Sequence, residues 1–115
     1  MKASTVEKCW DLLKKIPLDY GGIIFYRGSN IIDSFPNLLI VDHYMNKRTC
    51  IYQGEISHTL DIVDSCARDP NEKVYIEEIF KDKIITRVQL TKDNIDQVIL
   101  DTLNDLLVRY TAYTL

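Results

Sequence analysis

Apolar residues recur along this chain at two spacings, and the switches between them mark out its elements. Val6, Cys9, Trp10, Leu13 and Ile16 stand three and four apart, with Leu12 at the rim of the same stripe. Lys8, Asp11, Lys14 and Lys15 fall opposite, which predicts an amphipathic first helix. Ser4-Thr5-Val6-Glu7 reads as a capping box at its start. Pro17 ends it, because the residue before a proline is driven out of the α region. Ile23–Tyr26, opened by Gly21 and Gly22, is apolar on both faces and predicts a well-buried strand. Gly28-Ser29 suits a two-residue type II′ connection into Ile31–Asp33.

Farther along, Leu38–Tyr44 and Thr49–Gln53 predict a hairpin around residues 45–48, with Gly54 ending its second strand. Ile56, Leu60, Val63 and Ala67 return to helical spacing over 55–67. Val74–Phe80 and Ile84–Leu90 flank Lys81-Asp82-Lys83 as a hairpin. A long helix then runs from Asp93 to about Tyr113, with Thr91 as its capping hydroxyl and Asp93 and Asp96 near its positive end. The order α-β-β(-β)-α-β-β-α predicts an α+β protein. Its helices lie on an antiparallel sheet of four to five strands, in a two-layer sandwich that forms one domain over residues 1–115.

Composition adds limits. The 115 residues are 46% hydrophobic and 27% charged, enough for one core without a metal or disulfide. A net charge of −3 argues against nucleic acid, whose binding is dominated by cations on phosphates. Cys9, Cys50 and Cys66 are odd in number and form no C-x-x-C pair, so they read as reduced thiols of a cytoplasmic protein. The start of the chain shows no signal-peptide pattern, and no run approaches the roughly 20 apolar residues of a membrane span. No cofactor motif is present: Gly21-Gly22 and Gly28 fit neither a dinucleotide fingerprint nor a P-loop and read as turn glycines.

Two sets of residues carry candidate chemistry. His58, Asp61 and Asp64 repeat at intervals of three on the middle helix, where they form either a metal or acid-base site or simply a solvated face. Asp42 and His43 are adjacent on a predicted strand, so their side chains diverge. On the last helix Ile95, Leu106, Ile99, Tyr110, Leu103, Leu107 and Leu100 fill an arc of about 140°. That arc serves as a wide core face, or else its edge at Leu100, Leu103 and Leu107 overhangs the sheet and seats another chain, including a second copy in a homodimer. Seven tyrosines add amphipathic contact area of the kind enriched at interfaces.

The order helix, strands, helix, hairpin, helix, with the hairpin Val74–Leu90 running into a capped helix from Thr91, resembles the type III secretion chaperone fold. The resemblance implies a small acidic cytoplasmic protein that dimerises and holds a partner segment in extended form. It assigns no individual residue a role. The residues themselves favour a non-enzymatic protein that binds and masks or holds a partner protein, of inhibitor, immunity or chaperone type. An acidic inhibitor of a nuclease would use Asp61, Asp64, Asp101 and Asp105 to imitate phosphates. The rival reading is a metal-dependent enzyme or a ligand-binding regulatory domain built on His58, Asp61 and Asp64.

Overall fold

Periodicity and structure agree on the order of elements. The computed structural model describes residues 1–17, 20–35 and 53–114. Within them run α1 (Ala3–Leu13), β1 (Gly21–Arg27), β2 (Asn30–Phe35), α2 (Gln53–Arg68), β3 (Val74–Phe80), β4 (Lys83–Leu90) and α3 (Ile95–Thr114). The four strands form one antiparallel sheet in the order β2-β1-β3-β4. The hairpin expected over residues 38–52 lies outside the described residues, as do Asp42, His43 and Cys50. Gln53 and Gly54, expected to close that hairpin, instead begin α2. A glycine costs a helix only about 1 kcal/mol, and the buried face of Ile56, Leu60 and Val63 outweighs it.

The sheet has one helix-covered face, and the register identifies it. Ile23 and Phe25 of β1 share a core with Val74 and Ile76 of β3, Phe35 of β2 and Leu90 of β4. Cys9 and Leu13 of α1, Ile56, Leu60 and Val63 of α2, and Ile95, Ile99 and Leu103 of α3 complete it. Ile24 and Ile79, on the other face, are buried too, so the central strand β1 is apolar on both sides as its sequence requires. Gly21 is a strand residue paired with Phe80, not a turn glycine. A Cβ there would collide with the Ile79 carbonyl and press on the Leu106 side chain of α3, so glycine is what lets β1 lie this close to β3 beneath the helix.

The turns follow local chemistry. Gly28 takes a φ of 60° while Ser29 does not adopt positive φ, as a type II′ connection demands. Lys81 and Asp82 both lie at positive φ, 53° and 65°, making the β3–β4 link a type I′ turn without its favoured Asn-Gly pair.

The helix ends differ from the sequence reading. Ser4 is not the N-cap of α1, because the helix already begins at Ala3 with Lys2 as its cap and no capping side chain of its own. The carboxylate of Asp96, at the start of α3, does that work from a distance: it accepts the Lys2 N–H at 3.0 Å and the Thr5 hydroxyl at 2.6 Å. At its other end α1 stops at Leu13, and tighter bonds from Lys15 to Leu12 and from Ile16 to Leu13 carry the chain to Pro17. Before α3, Asn94 accepts the Thr91 N–H at 2.7 Å, the returning half of a capping box. In β2, Asp33 accepts the Thr59 hydroxyl at 2.7 Å and so joins the strand to α2.

Candidate interaction surface

The residues singled out in α2 do not converge. His58 and Asp61 are exposed on the helix, whereas Asp64 accepts the Met1 amino group at 3.0 Å and Arg68 at 3.1 Å. Burial opposes the charge on Asp64, but the hydrogen bonds from these two cations outweigh it and hold its pKa below the ordinary carboxylate value. Among the described residues no three His, Cys, Asp or Glu side chains are grouped to hold a metal ion. Cys9 is a buried free thiol pushed up to about 12, first by burial and then by the charge of Asp96, and is therefore unreactive.

The overhang expected on α3 fails at its middle. Leu103 is 0% exposed, inside the core, while Leu100 and Leu107 are half-buried beside it. α1 lies along the helix, and Leu12 and Leu100, each partly buried against the core, stand at the rim between the two. What remains between the two helices is an open groove of about 380 Å³, lined by Lys8, Asp11, Leu12, Gln97, Leu100 and Asn104. Asp101 is exposed and accepts a bond from Gln97 at 2.7 Å. Asp105 is committed elsewhere: it accepts Arg109 at 2.9 Å next to Glu78.

Two neighbouring glutamates on the inner strand β3 are buried, one on each face of the sheet. Glu78, 1% exposed, points to the helix side and meets Arg109 of α3 at 3.1 Å. Burial, then the hydrogen bond and charge of Asp105, push its pKa up to about 7 against the pull of Arg109, while the hydrogen bonds from Glu78 and Arg109 hold Asp105 below the ordinary carboxylate value. Glu77, 3% exposed, points to the opposite face, where the Arg87 guanidinium of β4 approaches to 3.6 Å. Among the described residues its other oxygen is buried without a hydrogen-bond partner. Burial first, then Glu77, also raises the pKa of the Tyr26 phenol above its ordinary value.

Arg87 is the outermost member of that second group. Its guanidinium carbon lies 4.4 Å from the ring centre of Tyr75 and 5.1 Å from that of Tyr26, within cation–π range of both. It stands on β4, which with β2 forms the two edges of the sheet among the described residues, and β4 carries Ile84 at 63% and Val88 at 37% exposure. Lys83, Thr86 and Gln89 are exposed as well. Among the described residues no strand pairs with the outer side of β4, so this long strand rich in β-branched residues offers backbone donors and acceptors there together with apolar side chains. This is the most distinctive surface among the described residues.

No known family matches this chain, and neither does any curated protein or solved structure. The surface must therefore be read from its own chemistry. Sequence reasoning placed β4 correctly as a strand, yet nothing in it marks which strand lies at the edge. Nor does it mark Glu77 and Glu78 as buried, since their arginines stand ten and thirty-one residues away. The one available signal was the pair of acids inside an otherwise apolar strand.

Proposed function

We propose that the protein acts by binding another protein at the edge formed by β4, and not by catalysis. The observation that carries this reading is β4 itself: eight residues at the rim of the sheet, with Ile84 and Val88 exposed and no charge of negative sign. Strand edges recruit extended segments through main-chain hydrogen bonds, with alternate side chains providing selectivity. Such a mode suits a chaperone that holds an extended segment of its client, and equally an inhibitor that masks one. Asp61 and Asp101 remain exposed and are available to an inhibitor that imitates phosphates, whereas Asp64 and Asp105 are tied into ion pairs. The free thiols of Cys9 and Cys66 support a reducing, cytoplasmic setting.

Site-specific photo-crosslinkers test the reading. Placed at Thr86 or Gln89 in the producing cell, they should yield a discrete protein adduct, and placed at His58 or Asp101 they should not. Adducts from the helix positions with none from β4 would reject the strand edge as the binding site.

A further inference from the structure

We propose, resting on the strand-edge reading above, that β4 accepts an extended acidic segment of another protein and seats a carboxylate of that segment on Arg87. The chemistry of the edge selects this partner. Residues 81–92 hold Lys81, Lys83, Arg87 and Lys92 against the single acid Asp82, a local excess of positive charge in a chain whose net charge is −3. Within that strip Arg87 is held in place rather than free to sweep. Tyr75 and Tyr26 support its planar face, and Glu77 anchors it from below at 3.6 Å. Its Nη1 faces Glu77 at 3.6 Å, and with 45% of the side chain exposed the remaining donors of the fork are open to a second acid.

A strand added outside β4 in antiparallel register would place one side chain across from Arg87 on the same face, with Cβ atoms about 5 Å apart. The guanidinium leans inward over β3, and an aspartate or glutamate at that position approaches its exposed side, opposite Glu77, to form a charge-assisted pair. Its two sequence neighbours turn to the opposite face, beside Thr86 and the half-open Val88. An apolar, β-branched residue completes the contact there. The preferred segment is therefore an acid flanked by apolar residues in an extended run. A second copy of this chain is a poorer occupant, because pairing β4 with itself sets Lys83 and Arg87 against the same cations, and like charges across a strand pair repel.

The test uses a capped synthetic peptide of alternating threonine and valine with one central glutamate, and a second peptide with glutamine in its place. Fluorescence anisotropy against the full chain reads affinity, and amide hydrogen exchange reads where the peptide lies. The glutamate peptide should bind at least about tenfold more tightly, as expected for a charge-assisted pair, and should protect amides across residues 84–90. That advantage should disappear with Arg87→Ala and fall with 0.5 M salt. Because Arg87→Ala also leaves Glu77 without its cation, the exchange made in the peptide, which leaves the fold untouched, is the decisive comparison. Equal affinity for the two peptides, or binding by neither at millimolar concentration, would overturn the proposal. So would concentration-dependent self-association that protects the same amides. Crosslinks persisting at Thr86 and Gln89 beside equal peptide affinities would keep β4 as the interface and reject its acidic partner alone.

Discussion

Glu77 and Glu78 are consecutive residues with opposite surroundings, and the alternation of a strand is the whole cause. One faces Arg87 and two tyrosines, the other Arg109 and Asp105. For Glu78 the consequence is a dependence of stability on pH. Its folded pKa of about 7 lies above its ordinary 4.5, so its contribution is fully present below 4.5 and is lost as pH rises through 7. Thermal unfolding should therefore begin at a lower temperature at pH 8 than at pH 5.5. Glu78→Gln keeps the shape and removes the charge, and it should flatten that difference. A Glu78→Gln protein whose melting temperature falls between those pH values as steeply as that of the parent would show that the slope arises elsewhere.

At the level of elements, the hairpin β3–β4 shows a local rule broken. A type I′ turn wants residues that accept positive φ, and this one uses lysine and aspartate. Lys81 is retained for another reason: its ammonium lies 4.7 Å from the ring centre of Tyr113 and 5.2 Å from that of Tyr20, which ties the turn to the end of α3. Asp82 has no such contact among the described residues, so its left-handed conformation is an uncompensated cost. Asp82→Gly should raise stability by about 0.5–1 kcal/mol, visible as a higher denaturant midpoint with unchanged slope. A lower midpoint would show that Asp82 makes a contribution the turn geometry does not reveal.

For the molecule as a whole, the junction of its first and last helices includes a carboxylate that a single substitution removes. Asp96 stands 94 residues from Lys2 and caps α1 from the first turn of α3. Burial works against its charge, but the hydrogen bonds from Thr5 and the Lys2 backbone prevail and hold its pKa below the ordinary value. Asp96→Ala should cost about 1 kcal/mol, the usual worth of a helix cap, and should loosen α1 over the core. Thiol labelling of Cys9, followed by peptide mapping, measures that loosening. Faster modification of Cys9 than in the parent is expected, and unchanged labelling would mean that α1 is held by its apolar face alone.

The pattern of apolar residues by itself determined the identity and order of the elements, because helix and strand periods of 3.6 and 2 are local properties that packing had only to accept. It also placed the turn at Gly28-Ser29. Tertiary structure alone decided the remainder. Leu103 went into the core because α1 packs along α3, and Asp96 became the cap of a helix remote in sequence. Glu77 and Glu78 became buried carboxyl groups whose partners arrive from other elements. The strand order β2-β1-β3-β4 put β4 at the rim, where its cations and apolar side chains meet solvent. Whether a strand is central or marginal depends on which neighbours pair with it, and pairing is a contact between distant residues that no local spacing encodes.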